Sequence, residues 1–383
     1  MAVSIKYVND FIVGGHANTQ LTPNFRLKEY QRADGKILIH RELVAAVQLL
    51  RESLDAAVRI SNLQPPAGIQ PVTEGLAVMV SANDPEALLQ KALQMVKSGY
   101  FQRVEAQGDQ LYLEIPDPDN LPPIAPQLAF DCGVRVTAAF ETSGDPYQQV
   151  TGNFDGAGLS FGPIQCNLKT GTLQELFRRM RGEDSARLER CFGNQADYLT
   201  FWRILDGSRS AAVAWADRLS TGRDKHGFSQ PWNGYLQTVG RDKLFQSVML
   251  RYAYDKYGKL LMSALAFASG ISPLRIDNLR CLAALYDMGV QQGSLHKAHS
   301  QIIRRVAAEQ PQDQFTLTRI LVEERAKKAS PRWRADCLSR RLSILEREPV
   351  SVTLSGETAS RSNPCSYLLR NCPVRSLENY LAS

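Results

Sequence analysis

Two acidic residues, Glu141 and Asp155, lie 14 positions apart in a glycine-rich stretch of an otherwise helical region. Glu141 follows Ala138, Ala139 and Phe140, and apolar surroundings favour a protonated carboxylic acid. Asp155 opens the segment DGAGLSFG, whose polar turn favours an ionised carboxylate. Cleavage of a glycosidic bond needs such a pair, because one acid protonates the leaving oxygen while the other activates water or attacks the sugar.

Both residues also fit ordinary structural roles, Glu141 as a helix-end acid and Asp155 as a turn former. Residue types alone leave both interpretations open. The sequence has no GxxxxGK[ST] segment for nucleotide phosphates and no HExxH pair for zinc. We therefore expect no cofactor and no metal site.

The elements before this region predict a small α+β domain over residues 1–116. Apolar residues at helical spacing predict a helix over His40–Ala57. GLAVMV at Gly75–Val80 predicts a strand. Asp84, followed by proline and glutamate, predicts the start of a helix that ends near Ser98. Gly108-Asp109, between two apolar segments, predicts a hairpin.

The rest of the chain is predicted to be mainly helical. Residues 117–127 contain four prolines and predict a linker. Residues 128–349 show helical periodicity, interrupted by the polar stretch 142–171. Residues 350–383 are rich in Ser, Asn and Pro, which predicts an irregular tail. The expected fold is thus an α+β N-terminal domain followed by a mainly α domain.

Composition excludes several classes of protein. The 383 residues are 44% hydrophobic and 22% charged, with a net charge of +6, as in a folded globular protein. The longest uncharged apolar stretch, Leu260–Leu274, has 15 residues, whereas a membrane span needs about 20. The seven cysteines form no CxxC pair, so we expect buried thiols, although Cys365 and Cys372 are able to pair in an oxidising compartment. No secretory signal peptide is recognisable at the N-terminus, so we expect synthesis in the cytoplasm.

The segment from Glu141 through Asp155-Gly-Ala-Gly-Leu-Ser-Phe-Gly resembles the catalytic region of the lysozyme-like superfamily, above all the family-46 chitosanases and related muramidases. The resemblance covers residues 128–347 and implies a two-lobed lysozyme-like domain. It implies that Glu141 is the general acid and Asp155 the general base of an inverting hydrolase, with Ser160 helping to hold the attacking water.

Further residues are expected to contact the substrate. Gly162 to Gln165 is similar to the Gly-Leu-Met-Gln turn of lytic transglycosylases. The segment 284–293 is similar to the Phe-Asp-x-x-Val-Gln-x-Gly helix of the chitosanases, where the matching residues line the cleft or brace it. The expected sugar contacts are Asn153, Phe154, Gln165, Tyr286 and Asp287.

One departure from the family pattern concerns the substrate. Ala157 stands where the family has an Arg that supports the catalytic Asp. Residues 301–350 carry 11 Lys+Arg against 7 Asp+Glu, and a basic chain favours a neutral or anionic glycan over polycationic chitosan. We therefore expect a peptidoglycan-degrading muramidase, with a chitosanase and a non-catalytic peptidoglycan-binding protein as alternatives.

The expected partner is the peptidoglycan glycan strand, and neither nucleic acid nor a membrane span is expected. Peptidoglycan lies outside the cytoplasm, so we expect action in the periplasm or cell wall of a target or host bacterium. An enzyme without its own export signal would reach it as a secreted antibacterial effector or a phage-type lysin. A secretion-apparatus or immunity protein is then a further partner to consider.

The N-terminal domain resembles the D-Ala-D-Ala carboxypeptidase-type zinc peptidases, through Phe25-Arg-Leu-Lys-Glu-Tyr30 and the segments near 43–51 and 60–62. Val72, Met79 and Tyr112 stand where those peptidases place zinc ligands. Val and Met are not zinc ligands. The resemblance therefore implies a peptidase scaffold without the metal, used for binding or docking.

Overall fold

The computed structural model describes residues 6–8, 10–32, 35–61, 74–140 and 144–377. Helices dominate after residue 125, and strands are concentrated in the N-terminal unit. The described helices include none that is both long and apolar enough to cross a bilayer.

The N-terminal unit is an α+β unit, as predicted. Its described residues form seven strands and two α-helices: β1 (Lys6–Val8), β2 (Phe11–Gly14), β3 (Ile39–His40), α1 (Arg41–Leu54), β4 (Val58–Ser61), β5 (Ala77–Ala82), α2 (Pro85–Lys97), β6 (Arg103–Gln107) and β7 (Gln110–Glu114). Strands β1–β3 form a small antiparallel sheet, and a second antiparallel sheet has the order β4-β5-β7-β6. Apolar residues of α1, α2 and the second sheet form one shared core.

Local signals account for the ends of these elements. The side chain of Asp84 caps α2 by accepting a hydrogen bond from the N–H of Ala87 at 2.9 Å, and Pro85 occupies the first helical position. Gly108 adopts φ 66° in the turn between β6 and β7. Helix α1 ends at Leu54, and the next residue, Asp55, adopts a left-handed conformation with φ 52°.

The helical part contains eleven further helices within the described residues, joined by short strands. They are α3 (Pro126–Ala138), β8 (Val150–Thr151), β9 (Ser160–Phe161), β10 (Cys166–Asn167), α4 (Thr172–Arg190), α5 (Gln195–Asp206), α6 (Arg209–Leu219), β11 (Ser220–Thr221), β12 (Gly227–Phe228), α7 (Trp232–Arg241), α8 (Lys243–Ala253), α9 (Lys259–Ile271), α10 (Leu279–Gln292), α11 (His299–Glu309), α12 (Gln314–Ala326) and α13 (Pro331–Glu346).

Two separate cores divide this part into two lobes. The small lobe, with β8–β12 and α4–α7, encloses one core. The large lobe, with α3 and α9–α13, encloses the other. Helix α8, a π-helical turn and α9 run continuously from Lys243 to Ile271. Phe245 and Met249 pack in the small lobe while Leu261 and Ala268 pack in the large one, so this run connects the two cores.

The proline-rich segment 117–127 is packed against the protein and is not a free linker. Leu121 and Ile124 are buried in the large-lobe core. The N–H of Ile124 donates to the carbonyl of Pro373 at 3.0 Å, and the N–H of Arg375 donates to the carbonyl of Ile124 at 2.9 Å. The two apolar side chains between the prolines therefore attach the segment to the C-terminal residues.

The expectation of an irregular tail is wrong for much of residues 350–377. Strands β13 (Val350–Leu354) and β14 (Glu357–Arg361) form a hairpin, with Ser355 and Gly356 both at positive φ in its turn. The apolar residues of β13 alternate with polar ones, and these half-buried side chains pack against the large-lobe core. Tyr367, Leu368, Leu369, Cys372 and Val374 then enter that core. All seven cysteines are free thiols, and every one except Cys365 is buried.

A buried acid on α1 joins the N-terminal unit to the tail and to the end of α13. Glu42 accepts from Arg347 at 2.9 Å and from Arg370 at 2.9 Å, and all three side chains are 1% exposed. Burial alone would raise the pKa of Glu42, but the two guanidinium groups overcome this effect and lower it. An ion pair of this kind holds the units together because separating them would leave buried charges unpaired.

Candidate active site

Glu141 lies outside the described residues, as do its neighbours at 142 and 143. The described chain reaches its position through α3, which ends at Ala138, and a turn at Ala139 and Phe140. The chain resumes at Gly144 and enters the small lobe. The role of Glu141 as the general acid therefore stays a prediction.

Asp155 lies in an exposed turn of the small lobe between β8 and β9. One of its carboxylate oxygens, Oδ1, accepts a hydrogen bond from the N–H of Ala157 at 2.9 Å. Gly156 and Gly158 have φ 76° and 81°, which only glycine adopts without strain. A Cβ on Gly158 would also lie 3.2 Å from the Val213 side chain, so the turn packs closely on α6.

Asn153 holds this turn from inside the protein. Its side-chain carbonyl accepts from the N–H of Gly158 at 2.7 Å, and its side-chain amide donates to Asp217 Oδ1 at 2.5 Å. Its own N–H donates to Ser220 Oγ at 2.8 Å. These bonds use the side-chain groups with which Asn153 was expected to contact a sugar, so its observed contacts are those of a residue that shapes the turn.

Asp217 completes this arrangement from the end of α6. Lys225 donates to the same Oδ1 atom at 2.6 Å. The hydrogen bonds from Lys225 and then from Asn153 lower the pKa of Asp217. Asp217 is therefore an ionised acceptor for Asn153 at neutral pH. Sequence reasoning did not identify Asp217, which is 64 positions from Asn153.

Phe154 is exposed beside Asp155, with 49% of its surface accessible. Its ring stacks on the imidazole of His226, with 4.0 Å between the ring centroids and 14° between the planes. His226 is also exposed. Sequence reasoning did not identify His226, since nothing in the local spacing links it to Phe154.

Ser160 and Gln165 lie on the strand that follows and on the next turn. Ser160 is 6% exposed in β9, paired with Thr151 of β8 and Asn167 of β10. The sequence Gly158 to Gly162 has GxSxG spacing, but a nucleophile elbow needs a strand–turn–helix, whereas here a second strand follows. Gln165 is half-buried at φ 49°, and its side-chain amide donates to the carbonyl of Gly162 at 2.9 Å.

Tyr286 and Asp287 are buried in α10, which favours the bracing role over direct contact with a sugar. Tyr286 is 2% exposed and Asp287 is fully buried. Arg340 donates to both oxygens of Asp287, at 2.7 to 3.1 Å, and Arg341 pairs with Oδ2 at 3.2 Å. The contacts of Asp287 with two guanidinium groups are those of a residue that braces the core.

The ion pair of Asp287 and Arg340 contacts residues that precede Glu141 in the sequence. Arg340 donates to the carbonyl of Thr137 at 3.2 Å, near the end of α3. Its guanidinium carbon lies 4.5 Å from the centre of the Phe140 ring. Asp287 therefore acts through Arg340 on the residues that immediately precede Glu141.

A large groove in the described part of the chain lies elsewhere. It has a volume of about 1930 Å³ and separates the N-terminal unit from the two lobes, with Glu52, Asp131 and Arg135 among its lining residues. Ala139 and Gly144, which lie close to Glu141 in the sequence, are among the residues that line it. Asp155, Ser160 and Gln165 do not line it. The site is therefore defined by its residues and not by this groove.

The peptidase-like interpretation of the N-terminal unit stays a prediction. Val72 lies outside the described residues. Met79 and Tyr112 are buried partners on β5 and β7, and the Tyr112 hydroxyl donates to Glu114 at 2.8 Å. Among the residues that the structure describes, no three His, Cys, Asp or Glu side chains cluster as metal ligands.

Comparison with known proteins gives matches among solved structures only. No protein-family model matches the sequence, and no curated protein matches it. The native chitosanase from Bacillus subtilis MY002 is 14% identical, with 63% of this chain and 100% of that chain covered and a TM-score of 0.39. A mutant of the chitosanase from that strain, complexed with 6 GlcN, is 15% identical, with 62% and 99% covered and a TM-score of 0.37.

The GH46 chitosanase of Gynuella sunshinyii, in complex with chitotetraose, is likewise 15% identical, with 61% of this chain and 96% of that chain covered and a TM-score of 0.37. Similarity at this level carries no argument about the activity of the present chain.

Proposed function

We propose that this protein is a glycoside hydrolase that cleaves the glycan strands of peptidoglycan, with Glu141 as general acid and Asp155 as general base. The observation that carries the proposal is the turn at Asp155, which presents an exposed carboxylate on a backbone held by Asn153. Catalytic groups require such preorganisation, because small displacements of a reacting group are costly in rate.

The surroundings of Asp155 suit a general base. Oδ1 accepts a hydrogen bond from the N–H of Ala157, and no described residue donates a hydrogen bond to Oδ2. An exposed oxygen without a protein donor is free to accept a proton from water. Ser160, buried behind the turn, is proposed to help hold that water through its hydroxyl.

The approach to Glu141 suits a general acid. Glu141 follows the apolar residues Ala138, Ala139 and Phe140 in the sequence, and Ala138 is fully buried. Apolar surroundings keep a carboxylic acid protonated near neutral pH, as proton donation to the leaving oxygen requires. The proposed mechanism inverts, so the two carboxyl groups are expected ~6.5–9.5 Å apart, with room for the attacking water.

Charge supports peptidoglycan over chitosan as the substrate. Residues 144–258, which form the small lobe and its connection, carry 15 Lys+Arg against 12 Asp+Glu. A net positive lobe repels a polycation and tolerates a neutral or anionic glycan. Chitosan remains the alternative substrate, because the sequence motif around Asp155 resembles that of chitosanases.

The proposal extends to the place of action and to the N-terminal unit. Peptidoglycan as substrate places the protein in the periplasm or wall of a target or host bacterium, where it would act as an antibacterial effector or lysin. The N-terminal unit is proposed to bind the wall or to dock to a secretion apparatus or an immunity protein.

The test compares wild type with Glu141→Gln and Asp155→Asn on purified peptidoglycan and on chitosan. Loss of a general acid or base is expected to lower the rate ~10²–10⁴-fold. Glu357→Gln, which removes an exposed acid from β14, is the matched control and should retain full activity. Mass spectrometry of the products identifies the bond cut, and an anhydro end would show a lyase instead of a hydrolase.

Three outcomes contradict parts of the proposal. Cleavage of chitosan alone would make the protein a chitosanase. Retention of peptidoglycan without cleavage would make it a binding protein. An unchanged rate in Glu141→Gln would refute the site assignment.

A further inference from the structure

We infer that His226 is a glycan-binding residue, which forms with Phe154 a platform for a sugar ring beside Asp155. This inference rests on the proposed function in two respects, the identity of the ligand as a glycan and the role of Asp155 as the general base. The two rings stack in parallel with 4.0 Å between their centroids, so together they form one flat aromatic platform. Sugar rings present C–H groups on their faces, and aromatic surfaces bind such faces.

The exposure of Phe154 needs an explanation. The large hydrophobic residues exposed in the described chain are few: Val13, Leu93, Phe154, Leu199, Ile303 and Trp333. Among them, only Phe154 adjoins a proposed catalytic residue. An exposed aromatic ring adjoining a catalytic carboxylate is placed to contact whatever that carboxylate acts on.

The position of His226 relative to Asp155 is set by backbone contacts. The N–H of Gly152 donates to the carbonyl of His226 at 2.9 Å. A Cβ on Gly152 would lie 2.4 Å from the carbonyl oxygen of Gly227 and 2.5 Å from that of Lys225. Only glycine permits this approach, so the β11–β12 hairpin lies directly against the strand that leads into the Asp155 turn.

Side-chain contacts reinforce the same arrangement. Lys225, the residue before His226, pairs with Asp217, which in turn accepts from Asn153. Ser220, which begins the hairpin, accepts from the N–H of Asn153, and Lys225 in its turn pairs with Asp217. The hairpin is therefore connected on both sides to the residues that hold the Asp155 turn. The platform and the base form one unit, and a sugar bound on the rings has a defined position relative to the carboxylate.

Binding is measured in the Asp155→Asn background, so that no substrate is consumed. The first probe is a neutral N-acetylglucosamine tetramer. The second probe is a peptidoglycan tetrasaccharide without stem peptides. His226→Ala is expected to weaken binding about 2- to 12-fold, the range for loss of one aromatic contact. His226→Tyr, which retains a ring over Phe154, should restore binding. Trp333→Ala, which removes an exposed ring from the large lobe, is the control and should leave affinity unchanged.

In the active enzyme, His226→Ala should raise KM with little change in kcat, since Asp155 and its turn are retained. An unchanged affinity in His226→Ala, with a thermal midpoint equal to that of the parent, would overturn the inference. Failure of His226→Tyr to restore binding would also overturn it. If His226-dependent binding persists while Glu141→Gln leaves activity unchanged, the proposed mechanism fails and the platform stands.

Discussion

Substitution of Asp287 distinguishes most clearly between a structural role and a substrate-binding role for this residue. Asp287→Asn keeps the shape of the side chain but removes the charge that Arg340 and Arg341 face. Those two arginines are 4% and 0% exposed, so neither charge gains water in exchange. Breaking a buried ion pair from one side costs about 3–5 kcal/mol of unfolding free energy.

The corresponding change in thermal midpoint is large. A domain of 150–250 residues loses about 2–4 °C for each kcal/mol, so the expected decrease is about 6–20 °C.

The assay is thermal unfolding followed by circular dichroism, with KM and kcat measured well below the midpoint. The control is Asp206→Asn, which removes the acid from an ion pair with Arg178 whose side chains are 56% and 58% exposed. Exposed pairs contribute about 0–1 kcal/mol, so this control should barely shift the midpoint. A raised KM in Asp287→Asn with a midpoint within about 2 °C of wild type would refute the structural interpretation and restore a sugar-binding role.

Three further predictions test the site and its support. Gly152→Ala should lower kcat sharply, because its Cβ would lie 2.4 Å from the Gly227 carbonyl oxygen. The control is Gly182→Ala on α4, whose Cβ would meet no atom within 4 Å and which should leave kcat unchanged. Equal kcat values for the two variants would contradict the close packing at Gly152. Glu42 has a lowered pKa, so its stabilisation is present above its usual pKa of about 4.5 and is lost as the pH falls below it. The midpoints of wild type and Glu42→Gln should therefore converge in acid, and a constant difference would show that the charge of Glu42 contributes nothing. Burial raises the pKa of Cys372 to about 12, so a thiol reagent should modify it only after unfolding, and rapid labelling of Cys372 itself in the native protein would contradict its burial.

Much of the local structure was predictable because its causes act over a few residues. Asp84 and Pro85 begin α2 through a cap that spans four positions, and Gly108 makes the β6–β7 turn through its own conformational freedom. The tail shows the limit of composition as a guide. Its many polar residues concealed the alternation in β13 and the Ser355-Gly356 turn, both of which were present in the sequence.

The sequence by itself determined the helical character of the second half, the α+β character of the first, and the glycine turn that presents Asp155. Only the tertiary structure decided what surrounds that turn. His226 and Asp217 come to it from more than sixty positions away, and Asp287 meets Arg340 across 53 positions. Periodicity and capping patterns predict which helix or strand a residue belongs to and whether its side chain faces the core. Which distant charge or ring a residue meets depends on how the lobes pack. That packing buries Asp287 against Arg340 and Arg341, which favours a bracing role over contact with a sugar.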